Sequence, residues 1–323
     1  MSIFRTTIAP SPASFQINHK TRILMAGSCF TTHIGQYLRT RKFEVMTNPM
    51  GVIYNPVSLA QSILPDQDFT ADQFFQNEGL WRHWNLHSEL AYPDLHTAVE
   101  QAQKTADSTR NYLQTTDVLI LTLGTAHVFY RLDRDEIVAN CHKMPTKLFG
   151  QRRLSVAETV TTISNLIQQV RAIQPNMQIV LTVSPVRHWR NGAVEHQRSK
   201  SVLLLACADL CEQLPNTLYF PAYECLMDDL RDYRFYAADM LHPSETAIEY
   251  IWQHFEATFL STPTQQLCRQ IEKIVAAAAH RPFNPHTAAH QTFQQKQLEA
   301  IAVLEATYPE IRFEEERRLF IQP

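Results

Sequence analysis

Ile23-Leu24-Met25-Ala26-Gly27-Ser28-Cys29-Phe30-Thr31-Thr32 is an apolar run that stops at Gly-Ser and passes at once into a helical pattern, Thr32 to Arg41. That order describes a strand, a tight turn and a helix start. A serine in such a turn stands at the carboxyl end of its strand, beside the unpaired N–H groups of a helix N-terminus. A developing oxyanion needs such donors, so the position suits a nucleophile. Serine is also among the commonest helix caps, and a capping role for Ser28 stands beside the chemical one.

Outward from this turn the chain repeats the same grammar. Arg22 to Ala26 reads as the first strand, and Phe43 to Thr47 as the second, followed by a rigid loop, Asn48 to Pro56. Val57 to Leu64 and Leu95 to Thr115 read as helices. Asp117 to Leu123 is an unbroken apolar strand ending at Gly124-Thr125. Ser155 and Glu158 have capping-box spacing at the start of a helix running to about Ile173. Gln178 to Val183 and Thr217 to Phe220 are the last two strands, with a helix over Val194 to Leu214 between them. Ser244 caps a helix to Phe259. Alternating strands and helices predict an α/β fold, a five-stranded parallel sheet with helices on both faces.

Three segments fit that frame less directly. Asp66 to Pro93, rich in aromatic residues including Trp81 and Trp84, reads either as an inserted hairpin or as an irregular lid. Val128 to Tyr130 and Glu136 to Ala139 read as a hairpin. Pro263 to His280 and His286 to Tyr308 read as two helices joined by Arg281 to Pro285. They form a helical extension, either packed on the main domain or serving as an oligomerisation arm. The expected domains are 1–262 and 263–323.

Bulk properties narrow the function classes. Of 323 residues, 45% are hydrophobic and 19% charged, which suits a globular protein with a substantial core. A net charge of -3 predicts neither a nucleic acid nor an anionic membrane as partner. No apolar run has membrane-spanning length, and residues 1–12 do not resemble a secretory signal, so a cytoplasmic location is expected. The six cysteines form no C-x-x-C pair, and the fourteen histidines form no zinc motif; reduced thiols, no metal and no organic cofactor are expected.

In parallel α/β folds ligands bind beyond the carboxyl ends of the strands. Ser28, Gly51, Gly124-Thr125, Ser184 to His188 and Asp239-Met240-Leu241-His242-Pro243 all fall on that edge. A carboxylate three residues before a histidine is placed to bind the imidazole Nδ1–H and to leave Nε2 to take a proton from a serine. Ser28, His242 and Asp239 are therefore the candidate triad. Cys29 is the rival nucleophile, expected to be a buried and inert thiol.

The sequence resembles the GSCFA family of the SGNH (GDSL-like) hydrolase group. Gly27-Ser28-Cys29-Phe30, with Thr31 in place of the motif's last alanine, carries the first block. Asn48-Pro49-x-Gly51-x-x-Tyr54-Asn55-Pro56, Thr122 to Thr125, Asn140 to Lys143, Ser184 to His188 and Asp239 to Pro243 are similar to later blocks, in order, over about Ile17 to Phe259. The resemblance implies a three-layer α/β/α flavodoxin-like sandwich, with Ser28 as nucleophile, His242 as base and Asp239 orienting it. It implies an oxyanion hole using N–H groups of Ser28 and Gly51. The wider group's third-block asparagine is absent here, which leaves Thr125 or Asn55 as the side-chain donor.

Arg187 and His188 are candidates for binding an anionic or sugar substrate, with His188 alternatively satisfying a buried carbonyl. His142 and His87 are further candidates. The expected activity is hydrolysis of a short acyl ester, acetyl on a carbohydrate among the candidates. An O-acyltransferase with the same triad and a non-catalytic binding protein on the same fold are the alternatives.

Overall fold

The computed structural model describes residues 6–65, 68–280, 283 and 287–321. The segments Arg281-Pro282 and Asn284 to His286, expected to join the last helices, lie outside the described residues. In chain order the first elements are β1 (Arg22–Gly27), α1 (Cys29–Thr40), β2 (Glu44–Thr47), α2 (Pro56–Ile63), β3 (Phe74–Asn77), β4 (Leu80–His83), α3 (Leu95–Leu113) and β5 (Val118–Leu123). Next come β6 (His127–Arg131), β7 (Glu136–Val138), β8 (Phe149–Arg153), α4 (Val156–Ile173), β9 (Gln178–Val183), α5 (Gly192–Gln213), β10 (Thr217–Tyr219), α6 (Ala222–Glu224) and α7 (Glu245–Phe259). The last helices are α8 (Thr262–Ala279), α9 (Ala288–Thr307) and α10 (Glu314–Ile321).

The main sheet has five strands in the order β10-β9-β5-β1-β2. β5 lies at its centre and pairs in parallel with β1 (Ile23 with Val118, Gly27 with Thr122) and with β9 (Val118 with Gln178). Every residue of β5 is buried. Leu24, Ala26, Leu119, Leu121, Leu123, Ile179, Leu181 and Val183 share one core with apolar residues of α2, α3, α4 and α5. The alternate residues Ile23, Met25, Val118, Ile120 and Val180 are equally buried. Both faces are covered, as a parallel sheet with unalternating apolar strands requires. This is the expected three-layer α/β/α architecture.

The aromatic segment resolves as a hairpin: β3 and β4 pair antiparallel, and the turn residues Glu78 and Gly79 both have positive φ, the geometry of a tight two-residue hairpin loop. The second hairpin gains a strand that sequence patterning missed. β8, Phe-Gly-Gln-Arg-Arg, pairs with β6 to make a sheet in the order β7-β6-β8. Its exposed, polar residues show no alternation to read.

The chain divides into two compact units. One comprises Met1–Ala9, Ile23–Gly35 and Met46–Gln253, the other Pro10–Arg22, Gln36–Val45 and His254–Pro323. The second unit has its own core: Leu267, Ile271, Ile274, Ile301, Leu304, Ile311, Phe313 and Phe320. Lys42 Nζ there meets both carboxylate oxygens of Glu316 at 2.7 and 2.8 Å. His19 stacks on Phe43 at 4.2 Å and bonds the Arg41 carbonyl.

Candidate active site

Gly27 makes the turn after β1 possible. Its φ is +144°, and a Cβ there would lie 2.2 Å from the Thr122 carbonyl oxygen, so β5 approaches too closely for any side chain. The Asn48 side chain accepts the Gly27 N–H at 2.8 Å and donates to Thr32 Oγ1 at 3.1 Å, pinning the turn from the loop after β2. Ser28 follows, 1% exposed. Its carbonyl accepts the Thr31 N–H in the first turn of α1. Its hydroxyl points across the sheet edge and donates to Ser184 Oγ at 2.9 Å, so the side chain is not spent on a helix cap.

The Asp239–His242 turn has the geometry its spacing implies. His242 Nδ1 lies 2.6 Å from Asp239 Oδ2, and the N–H groups of Leu241 and His242 donate to Oδ1 at 2.9 and 3.0 Å. The left-handed backbone of Met240 (φ +59°) lets the chain fold back on the carboxylate. The backbone donors, and then the imidazole, hold the Asp239 carboxyl down at about 2. It is therefore ionised at any working pH, which fixes the Nδ1–H tautomer and leaves Nε2 as acceptor. The Arg187 N–H donates to the Leu241 carbonyl at 3.0 Å, tying this turn to the segment after β9. The charge of His242 is felt by His33, and that of Asp239 by Cys29, both on α1. The pair is about half exposed, with side chains 46% and 48% accessible, whereas Ser28 is sealed.

Cys29 is half-buried, and burial pushes its thiol up, against the opposing pull of the Phe30 and Cys29 N–H groups. A raised thiol is a poorer source of thiolate, which weakens Cys29 as the rival nucleophile.

The backbone donors expected for an oxyanion hole carry internal partners. Gly51 N–H donates to the Asn48 carbonyl at 2.8 Å, and Ser28 N–H to the Thr122 carbonyl at 3.2 Å, a long contact. The N–H groups of Gly124 and Thr125 both go to the Tyr54 carbonyl, at 2.8 and 3.1 Å. Asn55 caps α2: Oδ1 accepts the Ser58 N–H at 2.9 Å and Nδ2 meets Ser58 Oγ at 3.1 Å. Thr125 is buried, paired with Ser199 Oγ at 3.0 Å and accepting the His127 N–H at 3.1 Å.

His87, from the loop after β4, packs over Gly51, and its N–H donates to the Met50 carbonyl. His188 packs against Tyr54 with ring centroids 5.6 Å apart, and donates its N–H to His196 Nδ1 at 3.1 Å. Burial, then the charge of Lys200, pushes its imidazole down to about 4. Arg187 lays its guanidinium 4.2 Å over the Trp189 ring, 40% exposed, with Tyr236 on its other flank at 6.0 Å. His142 belongs to the hairpins: it bonds the His83 carbonyl at 2.8 Å and packs on Phe75 and Trp84. Trp84 stacks on Phe75 at 3.7 Å, so this tryptophan is committed to packing.

Two residues of the edge take contacts that the sequence does not assign: Ser184, which the motifs place there without a role, and Lys200, which they do not mark. Ser184 receives the Ser28 hydroxyl, and Lys200, from α5, is fully buried and donates to the carbonyls of Gly124 and Ser184 at 2.8 and 2.6 Å. Lys200 lies in the middle of an amphipathic helix, where nothing local marks a lysine as buried. Among the described residues no group of His, Cys, Asp and Glu is arranged to hold a metal ion, and no helix is long and apolar enough to cross a membrane.

A three-layer α/β protein with a serine at the first strand end and an Asp–His turn on the same edge is the class that fold and site define. The chain belongs to the GSCFA family, which it matches over residues 22–255; residues 271–322 match the C-terminal domain of GSCFA domain proteins. No curated protein matches the sequence. Among solved structures it is similar to a carbohydrate esterase family 2 enzyme with a carbohydrate-binding domain from Corynascus thermopiles (Myceliophthora fergusii), at 12% identity and TM-score 0.40 over 78% of this chain and 68% of that one. It is also similar to a family 3 carbohydrate esterase from Clostridium thermocellum (13%, TM-score 0.34, 78% and 98%) and to one from Talaromyces cellulolyticus (6%, TM-score 0.36, 78% and 99%).

Proposed function

We propose that the protein is an SGNH-type serine esterase that cleaves a short acyl ester. The observation that carries this reading is the Asp239–His242 pair, 2.6 Å apart, on the strand edge where Ser28 stands between β1 and α1. The Ser28 hydroxyl turns from Ser184 toward His242 Nε2, which takes its proton as Oγ attacks the ester carbonyl. His242 then returns that proton to the leaving alcohol, and water releases the acyl group by the same steps in reverse order of roles. The long Ser28 N–H contact is the one most easily redirected to the oxyanion, with Gly51 as the second donor. The exposed Trp189, backed by Arg187, offers an apolar face beside the site that suits a sugar ring.

Purified protein is expected to hydrolyse p-nitrophenyl acetate, and Ser28→Ala to lower kcat by about 10³-fold or more. The variant's melting temperature should stay close to the parent's, since only the bond to Ser184 is lost. A fluorophosphonate probe should label Ser28; labelling at Cys29, or none in folded protein, would sink the serine mechanism.

Acyl transfer to a sugar hydroxyl is the second reading, in which the exposed Trp189 face would seat the acceptor sugar. Product analysis with and without an added sugar alcohol separates the two.

A further inference from the structure

Ser184 follows β9, and its N–H, its carbonyl and both acceptor sites of its hydroxyl are engaged. Its N–H donates to the Leu123 carbonyl at 2.9 Å. Its carbonyl accepts Lys200 Nζ at 2.6 Å. Its Oγ accepts two donors, the Ser28 hydroxyl at 2.9 Å and the Val186 N–H at 3.2 Å. Both lone pairs of that oxygen are then in use, and its own proton is still to be placed. Lys200 also holds the Gly124 carbonyl, so one buried amine clamps the segments that follow adjacent strands, β5 and β9. A buried cation is costly unless paired or well hydrogen-bonded, and here two carbonyls receive the amine. The result is a Ser184 whose backbone is bonded on both sides, to β5 and to α5, with its hydroxyl against that of Ser28.

We propose that Ser184, clamped by Lys200, is a positioning residue for Ser28: it holds the Ser28 hydroxyl in the resting enzyme and donates its own hydroxyl to Ser28 Oγ once that hydroxyl turns to His242. The roles in the Ser28–Ser184 bond exchange without any proton crossing between the two. The Ser28 proton goes to His242 Nε2 as the bond from Oγ to the acyl carbon forms, and Ser184 keeps its own throughout. A hydroxyl that donates to the nucleophile stabilises the negative charge on Oγ as its proton leaves, and fixes the direction of its lone pair toward substrate. A merely packed serine would do neither. The inference rests on Ser28 being the nucleophile.

The test uses the full chain, p-nitrophenyl acetate kinetics and the rate of fluorophosphonate labelling per folded molecule. Ser184→Ala is expected to lower kcat roughly 10- to 100-fold, the effect of one hydrogen bond to a charged group, with KM within about twofold. Labelling of Ser28 should slow by a similar factor. Ser184→Cys, which fills the same space with a weaker donor, should fall between parent and alanine. Rates of kcat and labelling within about threefold of the parent in both variants, or a loss confined to KM, would overturn the proposal. Retained hydrolysis and labelling in Ser28→Ala would instead overturn the nucleophile assignment, which keeps the two failures apart.

Discussion

At the scale of single residues, the structure says most about the proposed oxyanion hole. Asn55 and Thr125 were the side-chain candidates for a third donor, and both have structural duties. Asn55 satisfies the Ser58 N–H at the start of α2, and Thr125 anchors the turn after β5 through Ser199 and the His127 N–H. Asn55→Ala is therefore expected to lower stability by about 1 kcal/mol, the usual worth of an N-cap. Thr125→Val leaves a buried Ser199 hydroxyl and the His127 N–H short of a partner and should cost about 1–3 kcal/mol. Turnover of the folded fraction should hold in both if the hole is built from backbone alone. Thermal melts and kcat on the same preparations decide; normal melting with kcat reduced a hundredfold would assign the side chain to the transition state.

At the scale of elements, the loop after β2 is the joint of the site. It reaches β1 through Asn48, β5 through the Tyr54 carbonyl, and the β3–β4 hairpin through Gly51. Gly51 has φ +81°, and a Cβ there would lie 2.2 Å from His87 Cβ. Gly51→Ala thus meets an unfavourable backbone and a collision at once. A destabilisation of roughly 1–3 kcal/mol is expected, together with reduced activity as the loop and His87 move apart. Denaturant unfolding measures the first and p-nitrophenyl acetate turnover the second. An alanine variant with unchanged stability would mean that His87 swings away freely and is no wall of the site.

At the scale of the whole molecule, three buried imidazoles and the half-buried His188 shape the response to acid. His83, His142, His188 and His196 are each pushed down to about 4, in every case chiefly by burial. Each is neutral in the fold and protonated in the unfolded chain between about pH 6.5 and 4, so the unfolded state binds more protons there. Their contribution to stability is complete above 6.5 and is lost as pH falls toward 4. Each group contributes a slope of up to about 1.4 kcal/mol per pH unit. Urea midpoints should therefore drop steeply as pH falls from 6.5 to 4. A midpoint unchanged between pH 7 and 4.5 would show that these rings are solvated or already charged in the fold.

The sequence by itself determined the sheet and the Asp239–His242 turn, because both are local. Unbroken apolar runs such as Val118–Leu123 have one stable home, the middle of a parallel sheet, and Asp239 reaches His242 within its own turn. The Ser155–Glu158 box is legible for the same reason. What only the tertiary structure decided is which polar groups are free to act. Asn55 is spent on its helix and His142 on a hairpin carbonyl, while Ser184 and Lys200 enter the site from positions 156 and 172 residues beyond Ser28. Hydrogen-bond partners of a buried group are chosen by strands and helices that meet only on folding, and no local pattern records that choice.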